Sequence, residues 1–590
     1  MSMSRYMILC AFVLWSSMAA LFQPARADDP EGAIETARAR GEITDSEAIL
    51  YQFYHMTGSD LLPMRFAGET AVRCGMPILA DVADHLVEFP SAAQAQFESM
   101  STRPGGLESW IDTEHFRIHY TSSGEKAPAG WPNTHYLDTV AEAVERCWRF
   151  SHETERWNEP PSDALVGGGS NLIDLYIDDL GSSLYGYAQP EVEGVQQGPG
   201  GYSAFFVIDN DYAGFGFADA TDAVKVTIAH EYHHVVQMGY TIGESWWMEN
   251  LSTFIEDEVY DDINDNYDYL PCFLSSPHQR LDLRNGCHEY GGFLWPTFLS
   301  EMFGHDAIRA IEECSGGSPL MSCFDAELRN HGMDFEEALE TFWAWNFYTS
   351  IHDDGAHYVE GGDYDRLLGY DRSFSSYPQT AIRPTESKLP AAMSASVLRF
   401  NRQSGSQDDI FVLDYDGPRC VGSVTLFQRF PDNRVVEHVV LLDENGNASV
   451  QVEDWDQSLY GYLVTVIPRT CGEGRFDYRV NAETTTHSTS VDPATYTRTV
   501  VLDQNAPNPF HKFTQIRYSL TERGPVELDI FDSVGRRVRT LVHAEQAAGD
   551  FTVSWDAFDD SGQPVESGVY FSRLRLIDQV ETRKMILVDD

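Results

Sequence analysis

The chain has 590 residues, 42% of them apolar and 12% aromatic, which suffices for several packed cores and excludes general disorder. Against 40 Lys and Arg stand 92 Asp and Glu, a formal charge of -52 that repels phosphate backbones and argues against nucleic acid as a partner.

Arg5, an apolar run over 7–22 and then Ala25-Arg26-Ala27 read as a signal peptide, residues 1–27, cleaved before Asp28. The run is shorter than the ~20 apolar residues of a membrane span, so no transmembrane anchor is expected in the mature chain. Residues 28–105 show helical patterning at 31–40 and 92–100 without a catalytic motif; they read as a propeptide or an N-terminal helical subdomain. Residues 106–375 give strands at 115–120, 172–177 and 204–208 and a helix at 137–154. Helices at 224–238, 245–260, 290–302 and 335–347 follow. The fold class is α+β, a small mixed sheet first and helices after. Alternating patterns over 376–482 predict a β-sandwich, 483–499 a Thr- and Ser-rich linker, and 500–590 an immunoglobulin-like module.

Eight of the nine cysteines remain after Cys10 leaves with the signal, an even number that suits an exported, disulfide-bonded protein. Proximity in the sequence suggests Cys314 with Cys323, Cys272 with Cys287, Cys420 with Cys471 and Cys74 with Cys147.

The chemistry concentrates in His230-Glu231-Tyr232-His233-His234. On a helix, i and i+4 share a face, so His230 and His234 can bind one ion while Glu231, one step round, meets a water on it. Val226, Ile228, Val235 and Val236 make this helix amphipathic and buried, and Thr221-Asp222 offers its N-cap. His233 is near the same face, but only His234 has the peptidase spacing. A catalytic zinc needs a third protein ligand and an open position. Glu249, in Trp246-Trp247-Met248-Glu249-Asn250-Leu251-Ser252-Thr253, is the expected ligand, with Glu244 and Glu256 as alternatives on spacing.

These two segments resemble the gluzincin clan of zinc metallopeptidases, in which H-E-x-x-H is followed by a helix bearing the ligand glutamate, typically as W-x-x-E-G-x-A. Glu249 matches that glutamate and Ser252 the small residue, while Asn250 replaces the usual Gly and Thr253 stands where some members place an Asp that orients a ligand histidine. The resemblance runs over about 110–346 and looks closest to secreted bacterial gluzincins of undefined substrate. It implies Zn2+ as cofactor, Glu231 as general base, protein or peptide substrates, and a Tyr or His from the helical half that steadies the oxyanion. Tyr290 is the candidate for that role and His288 its runner-up. The stretch 200–206 reads equally as an edge strand that pairs with extended substrate or as a plain structural strand, and the acidic stretch 257–268 reads as a calcium site or a solvated face.

The tail is similar to the C-terminal sorting domains of the type IX secretion system, on Asn505-Ala506-Pro507-Asn508-Pro509-Phe510, Gly535-Arg536, Trp555-Asp556, Ser567-Gly568-Val569-Tyr570 and Lys584-Met585. That resemblance implies passage through the periplasm to the cell surface or medium, with type IX-like secretion machinery as partner. The sequence therefore reads as a secreted zinc endopeptidase, the alternative being a catalytically inert surface binding protein or adhesin that keeps a zinc site.

Overall fold

The computed structural model describes residues 29–587 apart from 69, 133–134, 164–166, 194–200, 216–219, 332, 441, 487–499, 503–504, 506–509, 521–522, 533–535, 548, 566 and 577–578. The expected signal peptide, most of the expected linker, and Ala506 to Pro509 and Gly535 of the tail motif lie outside the described residues. The chain divides into two compact units, one reaching Gly239 and one beginning at Tyr240.

The first unit opens with helices. Asp29 caps α1 (Pro30–Ala39), and a Thr44–Glu47 capping box starts α2 (Asp45–Met56). A three-residue strand, β1 (Val72–Cys74), precedes α3 (Met76–His85) and α4 (Ser91–Met100). Then come β2 (Ser109–Asp112), β3 (Phe116–Tyr120), α5 (His135–Arg149), β4 (Ile173–Asp178), β5 (Leu184–Glu193) and β6 (Tyr202–Asp209). The unit ends on α6 (Ala220–Met238).

The six strands form one mixed sheet in the order β1-β5-β6-β4-β3-β2. The N-terminal helical segment shares its core: Phe53, Met56, Val72, Ile78, Leu79 and Val82 pack with Leu184, Tyr187, Phe205 and Val207. Arg103 ties the end of that segment to the sheet through Glu191 at 2.6 Å and Asp174, and to the loop before β4 through Asp163 at 2.8 Å.

Of the two readings of the Gly-rich stretch before the metal motif, the structural strand holds: β6 pairs with β5 on one side and, from Phe206 on, with β4 on the other, and its apolar side chains are buried. The metal-motif helix is not amphipathic, since from Ala223 to Met238 every residue but Lys225 is buried. It starts at Ala220, which places Thr221 and Asp222 in its first turn rather than at its cap.

In the second unit a run of helices comes first. They are α7 (Ser245–Val259), α8 (Leu270–Leu274), α9 (His288–Gly291), α10 (Leu294–Phe303), α11 (His305–Ser315), α12 (Leu320–Asn330) and α13 (Phe335–Trp345). The expected 290–302 helix is broken at Gly292, whose missing Cβ leaves room for the Asn250 side chain, 2.5 Å from where a Cβ would stand. Two sheets follow, a four-stranded and a five-stranded one, over one core that includes Leu398, Phe411, Leu426, Trp455 and Val480. The last strands form a further pair of sheets around Phe510, Tyr518, Leu528 and Trp555. The mixed α/β region, the β-sheet region and the C-terminal immunoglobulin-like module therefore occur in the expected order. Three of the suggested disulfides form, Cys272–Cys287, Cys314–Cys323 and Cys420–Cys471. The fourth does not: Cys74 and Cys147 are buried thiols.

Candidate metal centre

Helical spacing brings His230 and His234 together on α6, with their Nε2 atoms 3.0 Å apart and their rings nearly perpendicular at 83°. Nδ1 of His234 donates to Oε1 of Gln237 at 2.8 Å. An amide oxygen only accepts, so this bond puts the proton on Nδ1 and leaves the lone pair on Nε2, the form a metal ligand needs. Gln237, three residues after His234 and fully buried, was not singled out from the sequence. A glutamine in the apolar turn after a ligand histidine is the signal that could have found it.

Cys74 reaches the same place from β1. Its thiol donates to Oε2 of Glu231 at 3.6 Å, and its sulfur and the ligand nitrogens of His230 and His234 all lie within 4.8 Å of one another. The approach depends on Gly186 of β5, the register partner of Cys74. A Cβ there would stand 2.9 Å from Cγ2 of Thr227, 2.9 Å from the Val207 carbonyl oxygen and 3.1 Å from Cγ of Glu231, so only glycine lets β5 lie this close to α6.

On α7, Glu249 and Glu256 are buried and Glu244 is exposed. Within the first unit, Cys74, His230 and His234 form a buried group that could bind a metal ion. Two imidazoles and a thiol suit a transition metal; calcium or magnesium would call for an oxygen-rich shell. His233 is outside this group, its ring edge-on to Trp157 at 5.2 Å. Burial, with His234 and His230 beside it, holds His233 well below the ordinary imidazole range, so it stays neutral.

Within the second unit, Trp247 of the aromatic lead donates its Nε1 proton to Glu312 at 2.7 Å, and burial pushes that carboxyl up to about 7. Asn250, where gluzincins usually have Gly, donates to the Glu289 carbonyl at 2.6 Å and so ties α7 to the short helix carrying Tyr290. Tyr290 itself is buried, 5.0 Å from the Tyr269 ring. The acidic stretch 257–268 forms no metal-ligand group among the described residues. Instead burial and the neighbouring Glu360 push Asp257 up to about 8. A second, more exposed group is Glu114, His115 and Glu145, in which the His115 ring bonds to Glu145 at 2.8 Å.

Comparison with known proteins adds one sequence match. Residues 513–574 match the FlgD Ig-like domain family. No curated protein matches the chain. Among solved structures, similarity is to PorZ, an essential bacterial surface component of the type-IX secretion system of Porphyromonas gingivalis. It is 20% identical, over 19% of this chain and 14% of that one, with a TM-score of 0.12. Dimeric latent PorU from the same organism is 13% identical over 35% and 21%, with a TM-score of 0.15. Endo-D from Streptococcus pneumoniae R6 is 8% identical over 32% and 31%, with a TM-score of 0.12. The chain thus spans less than a third of each of these proteins, and overlaps this slight carry no argument about activity. Among the described residues no helix is long and apolar enough to cross a membrane.

Proposed function

We propose that the chain is a secreted zinc-dependent endopeptidase of the gluzincin type, with His230, His234 and Glu249 as ligands, Glu231 as general base and Tyr290 as the oxyanion-stabilising group. One observation carries the reading: the Glu231 carboxylate bonds to the same thiol that lies within ligand range of both histidines, which sets a base beside two imidazoles in a buried site. Bound zinc would supply a Lewis acid and an acidified water. Glu231 accepts the proton of the attacking water and returns it to the leaving amine, and the surrounding apolar residues keep bulk water from competing. Gln237 holds His234 in the ligating tautomer. Substrates are proteins or peptides. The FlgD-like match at 513–574 supports an immunoglobulin-like tail; in this reading that tail serves type IX-like secretion, by way of the periplasm to the surface or medium.

The fourth donor, Cys74, favours a second reading, an inert binding protein with a closed structural zinc site, because structural sites take four protein ligands. Zinc content and digestion of casein or a peptide library, compared between parent and Glu231→Gln, test the enzyme. Zinc in both with hydrolysis only where Glu231 is intact is expected. No bound zinc, or equal rates at matched zinc, overturns the proposal.

A further inference from the structure

Among the described residues six cysteines are paired, and Cys74 holds its thiol in ligand range of two histidines and against the carboxylate proposed as base. In an exported protein a retained thiol so placed calls for a chemical reason. Its strand supplies one. β1 adds to the β5 edge in parallel, Val72 opposite Leu184 and Cys74 opposite Gly186, held by Val72 N–H to the Ser183 carbonyl at 2.8 Å and Gly75 N–H to the Gly186 carbonyl at 2.9 Å. This is the sheet edge nearest Glu231, whose side chain packs on Gly186. An extended segment of the chain's own N-terminal part therefore lies where an extended substrate would add to the sheet.

We infer that Cys74 is a displaceable fourth ligand that holds the proposed peptidase latent; the inference rests on the zinc reading above. On ligation a sulfur–zinc bond forms, water leaves the fourth position and the thiol proton passes to solvent. Withdrawal of Cys74 reverses each step, readmits water and leaves Glu231 able to accept its proton. The same residue blocks the nucleophile's position and occupies the base.

The test uses the full chain loaded with zinc, read by X-ray absorption at the zinc edge and by casein hydrolysis, in parent, Cys74→Ser and Cys147→Ser. A sulfur neighbour at about 2.3 Å is expected in the parent and in Cys147→Ser and absent in Cys74→Ser. Hydrolysis by Cys74→Ser should exceed the parent by roughly tenfold or more, since the competent fraction scales the rate, and should vanish again in Cys74→Ser with Glu231→Gln. Zinc bound without sulfur in the parent overturns the inference and leaves the peptidase reading standing. Sulfur ligation with no gain of activity in Cys74→Ser overturns latency in favour of a structural site. No zinc in any of the proteins overturns both. If Cys74→Ser fails to fold, Cys74→Ala replaces it, and the parent's sulfur signal alone decides ligation.

Discussion

Replacing Gln237 by Leu removes the acceptor that fixes the proton of His234 on Nδ1. The side chain keeps roughly its volume, so no large cavity follows. What is lost is the acceptor for Nδ1–H of His234 at 2.8 Å, in a turn where both residues are fully buried. A buried donor left without an acceptor costs about 1–3 kcal/mol, and loss of such a supporting bond typically lowers metal affinity about 10- to 100-fold, or about 1.4–2.7 kcal/mol. Gln237→Glu restores an acceptor, now charged, and should bind zinc at least as tightly as the parent. Competition against a zinc-sensitive chelating dye at fixed pH measures both variants, with circular dichroism to establish that each is folded. A folded Gln237→Leu protein whose zinc affinity stays within about twofold of the parent would show that this bond does not orient His234 for a metal, and the tautomer argument would fail.

Glu249→Ala should lose stoichiometric zinc while Glu244→Ala keeps it, read by mass spectrometry of the dialysed proteins; unchanged zinc in Glu249→Ala would remove it from the ligand set. Gly186→Ala forces contacts of 2.9 Å on Thr227 and on the Val207 carbonyl, and overpacking of this kind should lower the unfolding free energy by about 1–3 kcal/mol in urea titration. An unchanged midpoint would mean that α6 yields without cost. Asp257, pushed up to about 8 by burial and Glu360, binds a proton more tightly folded than unfolded, so its contribution is fully present below about pH 4 and is lost as pH rises through about 8. Asp257→Asn should therefore flatten the fall in stability across that window, and parallel stability–pH curves for mutant and parent would contradict the assignment.

The His230–His234 helix, the following helix over Ser245–Val259 and three cysteine pairs were legible because each is local. His230 and His234 are one turn apart, α7 follows within a short loop, and the bridged cysteines are at most 51 residues apart. What escaped is non-local or breaks its period. Cys74 meets Glu231 across 157 residues, a separation no spacing rule covers. β5 went unseen because Gly186 and Pro190 interrupt its alternation, yet that glycine is what permits the contact with α6. The apolar run from Ala204 to Ile208 carried the sign of an interior strand, buried on both faces, which favours the structural-strand reading over the edge reading left open beside it. The adjacent Gly291 and Gly292 likewise foretold the break between α9 and α10.

The donors differ in how firmly the fold holds them, and that difference bears on which one can move. His230 and His234 stand on a helix buried on nearly every side, so shifting either means repacking the core of the first unit. Cys74 stands at the end of a three-residue strand with two register pairs to the sheet. Val72 of that strand shares a core with Met56 and Ile78 of the neighbouring helices, so a cut or a strain applied to the N-terminal segment acts on β1 before it acts on α6. A zinc site cannot be closed by four protein ligands and catalytic at once. If one donor is to leave and admit water, the thiol is the one whose departure disturbs the least structure. It is also the one whose departure frees the carboxylate beside it.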